Sequence, residues 1–563
     1  MGKTSNAKTA KEKIVAPNLK KRNLVELICS YGVTILAFIF FGYVAIMSVF
    51  QTSVIDPANF AGEHILFEKD DLAMNIFLLG AFFLIIFGLR RYANAFIKIS
   101  ENILMAGLAI YTVTLGFIWI FMVESIPAAD SGTVTQTAME VAQGNYNSFI
   151  TSNNDFYNNV SYYQLYPFQL GYVFICEIFY RIFGTDSSMI MQVVNVLALT
   201  ALYMAIIKIS KMIFKNKAVT FITTFMLAGC VQAIFFTPFV YGNLIGIASA
   251  MWTCYFVIRF MQSEKKNSYL LLIPASLLMA LSVIAKYNNM IWLLAICIGL
   301  IIYIIRSKKW LHLISVAFVC VIALGSFNLI IYSYESRSGV KLGDGVSQTL
   351  YLDAGINESG MAPGWYNDMS KSTYLTADCN TEEANKLAKD DMELRKAKFK
   401  SDPAYTRDFF SKKVLSQWNE PSYESLWVSQ VKAHTFGEVE DGSLLQSIYT
   451  GGWSKFFYDY FDFFQMISFI LFAVGMAALI KKKIGAEAIM LVTGLIGGFL
   501  YHLLFEAKSQ YVLTYFIIML LFASYGLYFI LKPRKFSDGE NSEKKTVGKY
   551  ISNIIMKIES KTR

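Results

Sequence analysis

The chain has 563 residues, of which 55% are hydrophobic, 15% aromatic and only 16% charged. Soluble globular proteins carry about 25% charged residues, so this composition argues against a soluble enzyme. It also excludes disordered, collagen-like and disulfide-stapled secreted chains. The formal net charge of +9 would suit a nucleic-acid partner, and the positions of the charges decide that question below.

Twelve apolar stretches come close to the length of about 20 residues that a helix needs to cross a bilayer. They lie at 28–50, 72–89, 103–123, 188–207, 219–235, 243–260, 270–285, 288–305, 311–332, 463–480, 486–505 and 511–531. The pattern predicts an all-α polytopic membrane protein with about 12 transmembrane helices. A further stretch, 166–183, contains Glu177 and Arg181 and is predicted to lie in the outer interface, because an extra span would reverse the orientation of all that follows.

The Lys and Arg residues between these stretches indicate how the chain is oriented, because cytoplasmic loops are enriched in them. With the basic tail 1–27 inside, 32 of the 50 Lys and Arg residues are cytoplasmic and four lie in short outer connections. The other 14 lie in one long outer loop, 333–462. Both termini are therefore predicted to be cytoplasmic, and the positive charge needs no nucleic-acid partner.

The basic C-terminal tail, 532–563, contains Val547, Ile551, Ile554 and Ile558 at helical spacing. This pattern predicts an amphipathic helix that lies on the inner leaflet of the membrane. A docking site for a partner protein is the alternative interpretation.

Polar residues gather in two outer loops, whereas the apolar stretches have almost no ionisable residue at mid-membrane. This distribution argues against an ion-coupled transporter. The first loop, 124–187, is acidic and rich in Tyr and Asn, and its apolar spacing predicts a short helix over 131–143. The second loop, 333–462, contains a helix-like stretch from Thr381 to Lys400.

Three polar residues of the outer connections have both a structural and a functional interpretation. Asp130 directly precedes the short helix of the first loop, and from composition alone an N-cap is the more frequent role. Lys508 and Lys286 either extend along the membrane boundary from helix ends or hold a phosphate as point charges. The four His and seven Cys residues show no spacing typical of a zinc site.

Several short motifs follow one another along the outer-facing segments. They are Ala129-Asp130-Ser131, Tyr166-Pro167-Phe168-Gln169-Leu170-Gly171, Arg181-Ile182-Phe183-Gly184, Phe239-Val240-Tyr241-Gly242-Asn243, Lys286-Tyr287-Asn288 and the stretch from Phe505-Glu506 to Tyr511. In this order and topology they resemble the GT-C membrane glycosyltransferases. They are similar to the protein O-mannosyltransferases and to bacterial transferases that use lipid-linked sugars.

The resemblance also implies an architecture, a seven-helix module with large loops after its first and seventh helices. In this chain the module corresponds to 103–332, with its first outer loop at 124–187 and the second at 333–462. Two extra transmembrane helices precede it within 28–102, and three follow it within 463–531.

The function implied by the resemblance is inverting transfer of a sugar from a polyprenyl phosphate to a hydroxyl on the extracytoplasmic face of the cell membrane. The acceptor would be a cell-envelope glycan, a lipid or a protein. Asp130 would act as general base, and Lys508, Lys286 and Arg337 would stabilise the leaving lipid phosphate. The candidates for substrate binding are Tyr166, Gln169, Tyr241, Asn243, Glu506 and Tyr511.

Two positions depart from the family pattern. Ser131 follows Asp130 where many relatives have a second acidic residue, so no metal ligand is assigned, no cofactor is expected and a divalent ion is disfavoured. Gln510 stands where bacterial relatives often have Arg, which shifts phosphate binding to Lys508 or elsewhere.

Two other functions compete with the transferase. A flippase or exporter of lipid-linked sugars or polymer precursors predicts a polar transmembrane cavity and no dependence on one outer carboxylate. A structural scaffold predicts no cleft for a lipid carrier.

Overall fold

The computed structural model describes residues 23–56, 62–92, 99–150, 160–430 and 439–532, which are almost entirely helical. In chain order the longer helices are α1 (Leu24–Met47), α2 (Leu72–Leu89), α3 (Glu101–Val123), α4 (Ala129–Ala142), α5 (Leu170–Phe183), α6 (Met189–Phe214), α7 (Lys217–Gly229), α8 (Asn243–Gln262), α9 (Leu272–Ala285), α10 (Met290–Ser307), α11 (Leu313–Ser338), α12 (Gln348–Gly355), α13 (Met369–Thr376), α14 (Thr381–Ser401), α15 (Pro403–Trp418), α16 (Gly452–Lys482), α17 (Ala486–Leu504) and α18 (Ser509–Leu531). Shorter helical turns lie at Asn147–Ile150, Tyr162–Leu165, Val231–Phe235, Ser425–Ser429 and Leu444–Tyr449.

Within these described residues, 11 helices are long and apolar enough to cross a membrane. They are α1, α2, α3, α6, α8, α9, α10, α11, α16, α17 and α18, where α9, α10 and α11 each include a preceding 3-10 turn. The predicted all-α polytopic architecture is confirmed. The helices predicted within loops 124–187 and 333–462 also form, as α4 and α14.

The one predicted span that is not among these 11 helices, 219–235, is an interrupted helix. Helix α7 ends at Gly229, Cys230 has non-helical dihedral angles, and a short helix resumes at Val231. Three tyrosine hydroxyls from other helices donate hydrogen bonds to the freed carbonyls, namely Tyr111 to Ala228 (3.0 Å), Tyr460 to Gly229 (2.6 Å) and Tyr203 to Cys230 (3.4 Å). A break among apolar helices is tolerated when every freed backbone group finds such a hydrogen-bond partner. The length of the apolar stretch, on which the predicted span was based, does not reveal such a break.

Helix α5 corresponds to the stretch that was predicted to lie in the outer interface. It is 14 residues long, which is too short to span a bilayer. It packs against α4 and α11, and its position relative to a membrane stays a prediction.

Helix α8 packs most extensively against α9 and α6, and α1 packs most extensively against α16. At one end of the bundle, Arg306 on α10 pairs with the buried Glu26 of α1 at 2.9 Å and approaches Glu487 of α17 at 3.7 Å. Three helices that are distant in the sequence are thereby fixed to one another.

A β-hairpin, which the sequence analysis did not predict, follows α1. Its strands β1 (Gln51–Ile55) and β2 (Ile65–Lys69) pair antiparallel. The Ser53 amide donates to the Asn419 carbonyl at 3.0 Å, and the Ile65 amide donates to the Met361 carbonyl at 3.0 Å. The hairpin edges are thus paired with the second large loop and not left open.

The same large loop covers the connection between α17 and α18. The Ala507 amide donates to the Gly364 carbonyl at 2.9 Å, and Lys413 Nζ donates to the Phe505 carbonyl at 2.8 Å. This connection contains Glu506, so the loop fixes the backbone on both sides of a predicted site residue.

The described residues up to Phe529 belong to one compact unit. The predicted amphipathic helix of the C-terminal tail and most of the N-terminal basic tail lie outside the described residues.

Candidate active site

Asp130 lies in the first turn of α4, but it is not the N-cap. That position belongs to Ala128, and Ala129 between them has a φ of 48°, which costs a non-glycine residue about 1–2 kcal/mol. The Asp130 Oδ2 accepts a hydrogen bond from the Tyr241 hydroxyl at 3.0 Å, and the side chain is exposed. Because of this strained backbone at Ala129, the Asp130 carboxylate accepts its hydrogen bond from the Tyr241 hydroxyl and not from the free amides at the start of the helix.

Tyr241 connects Asp130 to a second predicted residue. Gln169 Nε2 donates to the Tyr241 oxygen at 2.5 Å while that oxygen donates to Asp130. Burial raises the pKa of Tyr241 well above its usual value, and the charge of Asp130 raises it further. The phenol therefore keeps its proton and fixes the orientation of the carboxylate.

The backbone beside Tyr241 requires glycine. Gly242 has a φ of 79°, and a Cβ there would lie 2.1 Å from the Ala285 carbonyl oxygen. Because the chain approaches the end of α9 so closely, the start of α8 lies directly against the residue that follows, Lys286. Ser131 strengthens the arrangement by donating to the Val240 carbonyl at 2.6 Å.

Lys286 lies over the same tyrosine. Its Nζ is 3.5 Å from the centre of the Tyr241 ring and 5.9 Å from that of Tyr511, a geometry in which the ring face attracts the cation. Although the residue is partly exposed, burial of the amine lowers its pKa to about 7, against the opposing charges of Asp130 and Glu506.

Glu506 completes this group of titratable side chains. Its Oε1 accepts a hydrogen bond from the Tyr511 hydroxyl at 3.3 Å. Burial raises the pKa of Glu506 to about 7; Lys508 opposes this shift and the charge of Asp130 adds to it.

We call six of these residues the Asp130 cluster. They are Asp130, Gln169, Tyr241, Lys286, Glu506 and Tyr511. Five separate parts of the sequence contribute to it, and the structure brings them together. Asn243 directly follows Gly242. The Tyr166 ring centre lies 5.0 Å from that of Tyr162, whose pKa is raised first by burial and then by the charges of Asp130 and Tyr241.

The second predicted phosphate ligand, Lys508, pairs with a carboxylate of the hairpin. Its Nζ lies 2.7 and 2.5 Å from the two carboxylate oxygens of Glu63. Burial alone would lower the pKa of Lys508, but Glu63 and Glu424 outweigh it and raise that pKa.

The third predicted phosphate ligand, Arg337, forms a bidentate ion pair with Glu177 of α5, with N–O distances of 2.7 and 3.1 Å. Burial would raise the pKa of Glu177, and hydrogen bonds from Arg337, Tyr334 and Arg181 outweigh it and lower that pKa. Of the three predicted cations, Lys286 is the one in the Asp130 cluster.

Sequence reasoning missed two buried glutamates that anchor the start of α18. Glu420 accepts a hydrogen bond from the Glu424 amide at 2.8 Å, and the Ser509 hydroxyl oxygen lies 2.9 Å from a carboxylate oxygen of each glutamate, so that its single proton is shared between them. Both are fully buried. Nothing in a polar loop segment signals such burial, because it arises from contact with a helix about 90 residues later.

His502 and Tyr351 were also missed. His502 is buried on α17 and lines a small cavity beside Lys286. Burial raises the pKa of Tyr351 on α12 well above its usual value, and the nearby charges of Tyr166 and Glu506 add to this rise. In the part of the chain that the structure describes, no group of three His, Cys, Asp or Glu side chains has a geometry that could hold a metal ion.

The centre of the chain, residues 169–327, matches a family model described as dolichyl-phosphate-mannose-protein mannosyltransferase. The resemblance to GT-C membrane glycosyltransferases is thereby confirmed. The match to this GT-C family includes Gln169, Tyr241, Asn243 and Lys286, whereas Asp130 and Glu506 lie outside it. No curated protein matches the chain.

Proposed function

We propose that this protein transfers a sugar from a polyprenyl-phosphate donor to a hydroxyl of a cell-envelope glycan, lipid or protein, with inversion, on the extracytoplasmic face of the cell membrane. One observation carries the proposal. The Asp130 carboxylate and the Lys286 amine contact the same Tyr241 side chain, at its hydroxyl (3.0 Å) and over its ring (3.5 Å). A base and a cation therefore lie side by side.

This pairing suits the two charge changes of an inverting transfer. As the acceptor oxygen bonds to the anomeric carbon, the bond from that carbon to the phosphate oxygen breaks and its electrons leave with the lipid phosphate. Asp130 takes the proton of the acceptor hydroxyl. Lys286 compensates the charge that develops on the departing phosphate.

The other predicted residues have secondary roles in this proposal. Lys508 and Arg337 remain candidates for the phosphate, although each already pairs with a buried carboxylate. The substrate-binding candidates are Tyr166, Gln169, Tyr241, Asn243, Glu506 and Tyr511. The polyprenyl chain would lie along the apolar helices in the bilayer.

The decisive test replaces Asp130 by Asn, which keeps the shape and removes the base. We expect transfer to fall roughly 10²- to 10⁴-fold, the usual contribution of general-base catalysis. The measurements are the sugar composition of the envelope and the amount of lipid-linked donor, at equal protein levels in the membrane. One envelope sugar should be lost while its donor accumulates.

Glu140→Gln is the matched control. Glu140 is on the same helix and bonds to Gln136 and Ser148, so its loss should leave transfer intact. Unchanged glycans in the Asp130→Asn strain would disprove the base assignment. They would favour the flippase, which needs no single outer carboxylate.

A further inference from the structure

A small cavity adjoins the Asp130 cluster. Its volume is about 20 Å³, and Lys286 and Tyr511 of the cluster line it together with Asn243 and His502. A polar cavity of this size has room for a single oxygen atom and its hydrogens.

Two of the side chains that line this cavity each have one buried polar atom without a protein partner among the described residues. These atoms are Asn243 Oδ1 and His502 Nδ1, and the two side chains are only 6% and 1% exposed. Buried polar atoms are almost always hydrogen-bonded. Asn289, which also lines the cavity, is by contrast engaged, because its Nδ2 donates to the Ser282 carbonyl at 3.1 Å.

The chemistry of these two atoms selects the ligand group. Asn243 Oδ1 only accepts hydrogen bonds, so a phosphate oxygen cannot pair with it, whereas a hydroxyl can donate to it. The same hydroxyl oxygen can accept from the Lys286 amine or from His502 in the neutral tautomer that carries its proton on Nδ1. An alcohol group therefore satisfies the cavity, and a sugar supplies several.

We propose that this pocket binds one hydroxyl of the sugar carried by the polyprenyl phosphate, and that Asn243 and His502 thereby determine donor specificity. The inference rests on the proposed function. The donor is favoured over the acceptor because Lys286 both lines the pocket and is the proposed partner of the leaving phosphate. The acceptor hydroxyl is expected at Asp130 instead.

The test measures donor binding to the purified full chain in detergent, as protection against thermal unfolding with no acceptor present. The probes are short-chain polyprenyl phosphates carrying glucose, galactose or mannose, and the monodeoxy analogues of the best binder. In the wild type, one monodeoxy analogue should bind roughly 10- to 100-fold more weakly than its parent, because it leaves buried polar atoms unpaired.

Asn243→Ala removes the acceptor and should make the parent and that deoxy analogue bind alike. His502→Phe should reduce the difference in affinity between the parent donor and that deoxy analogue. Asn243→Asp keeps an acceptor oxygen and should show the difference that Asn243→Ala has lost. Asn102→Ala, an exposed asparagine on α3, is the control and should discriminate as the wild type does. A purely structural role of Asn243 would lower stability without changing this ratio.

Equal protection of the wild type by a parent donor and all its deoxy analogues overturns the pocket and leaves the proposed function standing. A second outcome is that Asn243→Ala discriminates between the parent donor and its deoxy analogue as well as the wild type does. If the wild type then uses a deoxy acceptor more poorly than Asn243→Ala does, the pocket binds a hydroxyl of the acceptor and the donor assignment is wrong. Absence of protection by every polyprenyl-phosphate sugar overturns both the donor class and the pocket.

Discussion

Tyr241 makes three contacts that determine the geometry of the Asp130 cluster. Its hydroxyl donates to Asp130 and accepts from Gln169, and its ring face lies under the Lys286 amine. Because a phenyl ring is rigid, the carboxylate and the amine are held at a nearly constant separation. Tyr241 therefore acts as a positioning residue even where it touches no substrate.

The protonation state of Lys286 predicts how the transfer activity depends on pH. Burial lowers the pKa of Lys286 to about 7, so the amine is charged below that pH and loses its proton above it. Only the charged form compensates a leaving phosphate, and we expect kcat to fall as pH rises through about 7. Lys286→Arg, which stays protonated, should move this decline to higher pH when kcat is measured across a pH series.

Glu506 faces Lys286, and its own pKa is raised to about 7. The charge of Glu506 opposes the lowering of the Lys286 pKa by burial. Glu506→Gln removes this negative charge, and the decline of kcat that is due to Lys286 should then move to lower pH. An alkaline decline at the same pH in Lys286→Arg and wild type would contradict the assignment of Lys286.

At the scale of elements, the site depends on the close contact between the start of α8 and the end of α9. Gly242→Ala would push a Cβ against the Ala285 carbonyl and separate the two helix ends. Tyr241 and Lys286 would move apart, and we expect transfer to fall roughly 100-fold, as for a displacement of about 1 Å at an active site. Envelope sugar transfer and thermal stability are the measurements.

Gly144→Ala provides the matched comparison. Gly144 also has a positive φ, 84°, but nothing lies within 4 Å of its added Cβ. We expect a loss of about 1–2 kcal/mol in stability from backbone strain alone, with transfer retained. Equal losses of transfer in the two variants would show that backbone strain, and not the contact of α8 with α9, is responsible.

Elements whose apolar residues recur at a regular spacing were predictable from the sequence. Elements that depend on contacts with residues far away in the sequence were not. Helices α4 and α14 formed as predicted because their apolar residues recur at helical spacing. The hairpin was missed because its two five-residue strands depend on backbone partners at Asn419 and Met361. The break at Cys230 depends on three tyrosines from other helices, which no local pattern reveals.

The same distinction applies to the candidate site. The motifs indicated Asp130, Tyr241, Lys286 and Glu506, and the structure brings all four into one cluster. The pairing of Lys508 with Glu63 joins residues 445 positions apart, so an isolated lysine in an outer connection gave no sign that its charge was already balanced.

At the scale of the whole molecule, the hairpin, the second large loop and the connection between α17 and α18 all lie on the side of the Asp130 cluster. The contacts of Ala507 with Gly364 and of Lys508 with Glu63 establish this. One labelling experiment on the second loop therefore also locates the cluster relative to the membrane.

The distribution of Lys and Arg predicts that this side is extracytoplasmic. Single cysteines at two exposed positions test it, Lys389→Cys on α14 and Lys265→Cys between α8 and α9, in a Cys379→Ser background that removes the native thiol of the second loop. A membrane-impermeant maleimide should label Lys389→Cys in intact cells and Lys265→Cys only after permeabilisation. The reverse pattern would place the Asp130 cluster at the cytoplasmic face, where a donor displayed on the outer leaflet could not reach it.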